Sequence, residues 1–407
     1  MNEYFKIAWR NLWRNKRRSL ITIASVFFAV FLAIAMRSMQ LGSYDSMENT
    51  VIRNSTGYIQ VHASGYWDDK TINNTLKDQG KLRASILELE NVSLVIPRLE
   101  SFALASSGIL SKGVAVIGTD PETENLASGL AKRLVRGDYL KKGADGVLLA
   151  EKLAKYLKLD IGDTITLISQ GYHGVTAAGI YPVRGIISFP STTLNNKLLY
   201  MDLSEAQYLY GAPDRLTSIS VMIHEPDDLM KTFNNVSEIT GDDYEVMDWR
   251  EMNPELVQGV ESDNISGMFM LGILYVVVGF GILGTIMMMT LERKREFGVM
   301  IAVGMHRFKL SIIIFIETLL IALLGVLIGM MAALPLVYYF YLYPIQLTGE
   351  TAQAMLDMNT DPVLPFALDP VIFYSQGIVV LVLSLIAVIY PLLAIKNLNL
   401  INAIKGR

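Results

Sequence analysis

Four long apolar stretches organise this chain, at residues 20–36, 267–290, 310–343 and 371–395. None of them contains Lys or Arg, and Glu317 is the only acidic residue within them. Because about 20 apolar residues in a helix cross the hydrocarbon core of a bilayer, the stretches predict transmembrane helices. The mean hydropathy of +0.36 agrees with this interpretation. With their flanks, the four predicted helices span residues 20–40, 265–290, 310–343 and 371–395.

Residues 41–264, between the first and second predicted helices, have a different pattern. Short segments in which apolar and polar residues alternate predict half-buried strands. Two longer segments, 147–159 and 226–239, carry apolar residues at helical spacing and predict amphipathic helices. The mixture predicts a large α+β domain, of a length that allows one large or two small folding units. The alternating segments are 58–62, 165–168 and 219–223, and strands are also expected at the short apolar run 114–117 and at 246–249.

Basic residues predict which side of the membrane each segment occupies. They are concentrated in residues 1–19, in 291–309 and in the tail 396–407, whereas 344–370 contains acidic residues and no basic ones. The positive-inside rule therefore places both termini and the segment 291–309 in the cytoplasm. The α+β domain at 41–264 and the loop at 344–370 are expected outside the cytoplasm.

The leader at residues 1–19 reads as an amphipathic interfacial helix. Its tryptophans lie on one helical face, where they are expected at the depth of the lipid headgroups, and its arginines lie on another, where they are expected to meet phosphates. The predicted anchors are Trp9, Arg10, Trp13, Arg17 and Arg18. An ordinary solvated basic flank is the alternative.

A second alternative concerns the same end of the chain. A basic start, an apolar run and the small-residue sequence Ala33-Ile34-Ala35 also fit a cleavable signal peptide, which would leave three helices. We favour a retained helix because the leader is itself patterned.

Composition and motifs do not indicate an enzyme. The chain has no cysteine, which excludes disulfides, thiolate metal sites and cysteine nucleophiles. Its four histidines are isolated, and the sequence has neither a catalytic-serine elbow nor a Walker phosphate-binding loop. We therefore expect no metal or cofactor on this chain and no ATP hydrolysis by it. Its basic residues lack an aromatic stacking platform, so we expect no nucleic-acid binding.

Two features lie within the third predicted helix. Gly325 and Gly329 have the spacing that lets helices approach closely, although this spacing also occurs by chance in apolar helices. Glu317 lies about two turns in from the cytoplasmic end, where an acid is costly unless it is paired or reaches water. We expect Glu317 to act in packing or transmission, and a carboxylate that reaches water near the interface is the alternative.

The segment 292–304 is the most specific cytoplasmic feature. It begins with charged residues that can pair at helical spacing, continues with a short apolar stripe and ends at a glycine. Such a helix is suited to dock into the groove of a partner, and a plain basic flank is the alternative. The residues expected to act in docking are Glu292, Arg293, Lys294, Arg295, Glu296, Phe297, Gly298, Met300, Ile301 and Gly304.

The sequence of this segment, ERKREFGVMIAVG, closely resembles the signature of MacB/FtsX-type ABC transporter permeases. This family includes the lipoprotein-releasing permeases LolC and LolE, whose plan is the most similar. The leader 5–22, the segments 116–124 and 148–167, and the stretch 316–329 also resemble the family. The ending 394–407 does so too, although Ile401 stands where the family usually has proline.

The resemblance implies four transmembrane helices with a large MacB-like periplasmic core domain between the first and second. It also implies a pair of permeases, identical or different, bound to two copies of a separate ABC-type ATPase that holds ATP and Mg²⁺. The segment 291–309 would couple this ATPase to the permease by mechanotransmission.

The resemblance leaves the substrate open. Lipoprotein release is the leading hypothesis. The alternatives are MacB-like export of a peptide, toxin or antibiotic with periplasmic adaptors, and FtsX-like control of an envelope hydrolase.

Overall fold

The computed structural model describes residues 2–14, 16–78, 80–357 and 362–398. As far as they are described, the residues form two compact units. The first is built from Met1–Asp45, Gly259–Ile345 and Leu364–Arg407, and the second from Ser46–Gln258 and Gln346–Val363.

The helices are numbered in chain order. They are α1 Asn2–Arg14, α2 Lys16–Val51, α3 Gly80–Leu87, α4 Pro121–Ser128, α5 Glu151–Leu157, α6 Thr192–Lys197, α7 Leu203–Leu209, α8 Leu229–Thr240, α9 Trp249–Met252, α10 Pro254–Glu292, α11 Lys294–Ala302, α12 Arg307–Leu342, α13 Gly349–Asp357, α14 Pro370–Ala387 and α15 Ile389–Lys396.

The strands follow the same order. They are β1 Ile59–Ala63, β2 Leu76–Lys77, β3 Val92–Ser107, β4 Leu110–Thr119, β5 Leu134–Gly137, β6 Val147–Ala150, β7 Thr164–Gln170, β8 Thr176–Ile187, β9 Leu198–Asp202, β10 Arg215–Leu216, β11 Ser218–Ile223, β12 Tyr244–Asp248, β13 Ile345–Gln346 and β14 Val363–Leu364.

The described residues contain four helices long and apolar enough to cross a membrane, which confirms their predicted number. They are Ser19–Thr56, Pro254–Glu292, Arg307–Leu342 and Pro370–Lys396. Each forms because an uninterrupted run of Leu, Ile, Val, Ala and Met satisfies its backbone hydrogen bonds internally. The third passes through Pro335 without ending.

Helix α12 packs closely against α2 where its glycines lie. A β-carbon on Gly325 would lie 2.6 Å from Cβ of Val26, and one on Gly329 would lie 3.0 Å from the carbonyl oxygen of Phe27. Neither position has room for a side chain, so the small-residue spacing brings these two helices into close contact. Helix α1 also packs on α12.

One half of the second unit is an open antiparallel sheet in the order β12-β1-β11-β3. Helix α3 follows β1 and helix α8 follows β11, and both pack on this part of the fold. Along the chain the order is strand–helix–strand twice. In the sheet, the fourth of these strands lies beside the first, followed by the third and the second, which is the topology of a ferredoxin-like sandwich.

The other half is a closed barrel. Strand β3 pairs with β4, and the ring continues through β9, β6, β8 and β7 back to β3. Its interior is filled by apolar side chains, among them Leu99, Leu148 and Leu167, each with 0% exposure. The barrel is therefore an insertion between two strands of the ferredoxin-like half, and the 16-residue strand β3 belongs to both.

Two details differ from the sequence expectation. The helix predicted over 147–159 begins as strand β6, because Val147–Ala150 is wholly buried and pairs with both β8 and β9, and only Glu151–Leu157 is helical. A short apolar run cannot distinguish a buried strand from a helix. The other difference is that Gln346–Val363, predicted as a loop, groups with the second unit, and α13 packs there on α6.

Candidate functional site

The candidate site lies at the junction between α10 and α12. Helix α10 ends at Glu292, Arg293 adopts a non-helical backbone conformation, and α11 begins at Lys294. After α11, Gly304 takes a φ of 105°, which is unfavourable for residues with a side chain, and the chain reverses into α12. His306 caps α12 through its side chain, which accepts a hydrogen bond from the backbone N–H of Phe308.

A buried ion pair joins this junction to α12. Nη1 of Arg293 donates to Oε1 of Glu317 at 2.6 Å, and both side chains are only 5% exposed. Glu317 lies ten residues into α12, which is about 15 Å along the helix axis. The charge of the buried Glu317 carboxylate is therefore compensated by the guanidinium of Arg293, which belongs to the preceding segment.

The pair is incompletely satisfied. Within the described residues, Oε2 of Glu317 and Nε of Arg293 have no hydrogen-bond partner. Nε of Arg293 lies 3.6 Å from Oε2 of Glu296, close enough for attraction but too far for a hydrogen bond. Arg293 thus has two carboxylates within reach, one on α12 and one on α11.

An apolar cluster holds α11 from the same side. Phe297 is 2% exposed and packs in one cluster with Leu310, Ile314 and Ile395. The guanidinium of Arg293 lies over the Phe297 ring, 5.4 Å from its centroid. Met300 and Ile301 are partly buried against this cluster, and Gly298 is buried.

Two further arginines tie the junction to other helices. Arg14 of α1 forms an ion pair with Glu296 at 2.8 Å. Arg307, at the start of α12, donates to the backbone carbonyl of Lys396, the last residue of α15, at 2.5 Å and to that of Leu398, two residues later, at 2.8 Å. Sequence reasoning missed both contacts.

A signal for the buried Arg293–Glu317 pair was present in the sequence. An acid within an apolar helix needs a cation, and Arg293 is the first basic residue after α10.

The structure corrects the expected orientation of α11. Arg293 and the stripe Phe297–Met300–Ile301 were expected to face a partner, but Arg293 and Phe297 are buried within this chain because Glu317 and the apolar cluster cover them. The face that remains exposed carries the charged residues at the start of the helix and an apolar pair. It consists of Glu292, Lys294, Arg295, Glu296, Val299 and Val303.

The leader has two sides in the structure. Ala8 and Leu12 are 0% and 2% exposed, on the helix that packs on α12, whereas Trp9 and Trp13 remain 39% and 47% exposed. Arg10 and Arg17 are exposed as well, and the side chain of Arg18 lies outside the described residues. The exposed tryptophans fit the expected lipid contact, which stays a prediction.

This arrangement can transmit force. Helix α11 is held to α12 by the Arg293–Glu317 pair, to α1 by Arg14 and, through the Phe297 cluster, to Ile395 of α15. A displacement applied to the exposed face of α11 would therefore reach α1, α12 and α15 together.

Comparison with known families matches both parts of the chain. Residues 19–239 match the MacB-like periplasmic core domain, and residues 268–400 match the FtsX-like permease C-terminal family.

Several curated proteins are similar over much of their length. The lipoprotein-releasing system transmembrane protein LolC of Xylella fastidiosa is 23% identical over 312 residues, which cover 72% of this chain and 73% of that protein. The macrolide export ATP-binding/permease protein MacB of Aggregatibacter actinomycetemcomitans is 20% identical, over 81% of this chain and 52% of that protein. Among solved structures, the periplasmic region of MacB from Actinobacillus actinomycetemcomitans aligns with a TM-score of 0.37 at 17% identity, over 52% of this chain and 95% of that chain.

Proposed function

This chain belongs to the MacB/FtsX-type family of ABC transporter permeases, and we propose that it is the permease subunit of a system that releases lipoproteins from the bacterial inner membrane. Balanced coverage supports this choice of substrate. The alignment with the LolC relative covers nearly equal shares of both chains, 72% and 73%, whereas only about half of the MacB relative is matched.

The observation that carries the mechanism is the buried Arg293–Glu317 pair. We infer that an ABC-type ATPase, which binds ATP and Mg²⁺, docks on the exposed face of α11. Closure of this ATPase would move α11, and the ion pair would pass the movement to α12 because both partners are buried and cannot exchange for water cheaply. Two permease copies, identical or paralogous, and two ATPase copies would form the complete transporter.

Beyond α12, the proposed movement continues along the chain. Helix α12 leads directly into Gln346–Val363, which belongs to the second unit and whose helix α13 packs on α6. Movement of α12 would thus be delivered to the domain expected outside the membrane. The grouping of 46–258 with 346–363 supports their location on one side, and the charge pattern supports the cytoplasm for the termini and α11.

The docking face can be tested directly. We expect Val299→Asp or Val303→Asp to abolish co-purification with the ATPase, because a buried charge at the centre of an interface is costly. Val299→Thr, which keeps the branched shape, is the matched control and should retain association. Normal association of both aspartate variants would show that this face is not the docking surface.

The substrate needs a separate experiment. On depletion of this protein, we expect lipoproteins to accumulate in the inner membrane fraction, as measured by fractionation and detection of several lipoproteins. Normal lipoprotein localisation, with a defect in the export of a peptide or antibiotic instead, would contradict the proposed substrate and leave the docking face unaffected.

A further inference from the structure

A cavity of about 370 Å³ lies within the second unit, between the barrel and the residues that follow α2. This volume falls in the range of small-molecule sites, roughly 300–1,000 Å³. Its walls are partly aromatic and aliphatic, with Phe102, Phe189 and Leu198. Three charged residues also line it, namely Lys70, Arg98 and Glu100.

The charge of Arg98, which lines the cavity, is already compensated within the fold. Arg98 donates from Nε and Nη2 to both carboxylate oxygens of Glu124, each at 2.9 Å, and from Nη1 to the backbone carbonyl of Ser55. Arg98 and Glu124 have side-chain exposures of 3% and 0%. Because this pair is compensated internally, it does not favour an anion in the cavity.

Glu100 is different, because its carboxylate retains acceptor capacity. Its Oε1 lies 3.8 Å from Nη1 of Arg98, too far for a hydrogen bond, and its side chain is 42% exposed. Burial raises the pKa of the Glu100 carboxyl, although Arg98 and Lys70 oppose this rise. The exposed part of this side chain therefore faces a confined space with apolar walls.

The ammonium group of Lys70 does not pair with the Glu100 carboxylate. Its Nζ lies 3.2 Å from the centroid of the Trp67 ring, which provides a cation–π contact, and the residue is exposed to solvent. A ligand that donates a charged hydrogen bond to Glu100 thus has an available partner in the cavity.

We propose that this cavity binds a small amphipathic amine, with its ammonium group on the Glu100 carboxylate and its apolar part along Phe102, Phe189 and Leu198. Phe102 is 72% exposed, so its ring is available for contact with a ligand. The site is distinct from the junction at α11, so the inference holds whichever substrate the permease moves.

The test uses three probes of similar size and different charge. The full chain in lipid nanodiscs is titrated with 2-phenylethylamine, 2-phenylethanol and 3-phenylpropionate, with empty nanodiscs as the blank, and binding is followed by ligand-detected NMR. We expect the amine to bind at least about tenfold more tightly than the alcohol, and the carboxylate to bind most weakly, because a charge-assisted hydrogen bond discriminates by about this factor.

Variants separate the charge from the apolar wall. Glu100→Gln should reduce amine binding to the level of the alcohol and leave alcohol binding unchanged. Phe102→Ala, at an exposed position where folding is not at risk, should weaken the amine and the alcohol several-fold together. Glu88→Gln, on an exposed glutamate that does not line the cavity, is the matched control and should change neither affinity.

Several results would overturn the proposal. They are absence of amine binding to the unaltered chain, equal affinity for the amine and the alcohol, preference for the carboxylate, or amine binding that Glu100→Gln leaves intact.

Discussion

Each of the two units contains a buried arginine–glutamate pair, and the two pairs are built differently. In the second unit, Arg98 and Glu124 share two hydrogen bonds of 2.9 Å, and Thr119 donates a further one to Glu124 at 3.3 Å. In the first unit, Arg293 and Glu317 share a single hydrogen bond of 2.6 Å, and each retains an unpartnered atom within the described residues.

We call Arg98–Glu124, which is held by several hydrogen bonds, the fixed pair, and Arg293–Glu317, which is held by one, the adjustable pair. Burial lowers the pKa of the Arg98 guanidinium, but the adjoining carboxylates of Glu124 and Glu100 outweigh it and raise that pKa overall, so the charged pair is secure. Each arginine has a second carboxylate within 4 Å, Glu100 at 3.8 Å from Arg98 and Glu296 at 3.6 Å from Arg293, so the two pairs differ in their hydrogen bonds and not in the number of nearby acids. A junction that is proposed to move benefits from a pair held by one hydrogen bond, whereas a domain core benefits from a pair held by several.

The largest effect is expected from breaking the fixed pair. Glu124→Leu removes the only carboxylate that the described residues hydrogen-bond to the buried Arg98, and we expect the free energy of unfolding of the second unit to fall by about 3–5 kcal/mol. Thermal unfolding of the purified protein in detergent measures this loss. Lys142→Ala, which removes the Asp120–Lys142 pair of the same unit through its 70% exposed lysine, is the control and should cost no more than about 1 kcal/mol.

A rescue experiment sharpens this prediction. In the double variant Arg98→Met with Glu124→Leu, no charge remains uncompensated, so we expect stability to return to within about 1–2 kcal/mol of the unaltered protein. A double variant as unstable as Glu124→Leu alone would show that packing, and not charge compensation, determines the loss.

Changes at the adjustable pair should have smaller effects on stability and larger effects on coupling. Glu317→Leu should cost about 3 kcal/mol, and Glu317→Gln about 1–2 kcal/mol, because glutamine retains an acceptor for Arg293. Both should reduce transport-stimulated ATP hydrolysis, glutamine less than leucine. A glutamine variant that assembles normally but abolishes a strictly pH-dependent transport would instead indicate a role of Glu317 in proton transfer.

The smallest effect is expected at the exposed ion pair between Arg14 and Glu296, which adjoins the adjustable pair. The side chains of Arg14 and Glu296 are 57% and 48% exposed, so their ion pair should contribute less than about 1 kcal/mol. A double-mutant cycle with Arg14→Ala and Glu296→Ala measures this coupling energy in thermal unfolding. A value above about 2 kcal/mol would mean that the leader is fixed to α11 as firmly as α12 is.

The sequence predicted much of the fold because its strongest signals are local. The four long helices follow from long apolar runs, and β1, β7 and β11 follow from short alternating segments. The closed barrel and the insertion between β3 and β11 depend on pairings across long stretches of chain, which periodicity does not encode. The same holds for β6, whose four residues are buried by their neighbours on both sides.

The candidate site was predicted in position but not in orientation. The segment 292–304 and Glu317 were each identified from composition, yet their contact joins residues 24 positions apart in sequence. Charge pattern alone cannot tell an arginine that faces a partner from one that faces its own helix. Gly304, by contrast, was recognisable as the end of α11 because a positive φ favours glycine.

Strand β1 lies between β11 and β12, and Ile59 stands opposite both Val221 and Asp248. Roughly 190 residues of chain separate β1 from the last strand of its sheet, so at about 5–20 residues per second β1 waits on the order of 10–40 s during synthesis for its partners. The barrel strands, from β4 to β9, are complete earlier. The ferredoxin-like half is therefore expected to fold last, with an apolar strand edge exposed until synthesis reaches α10.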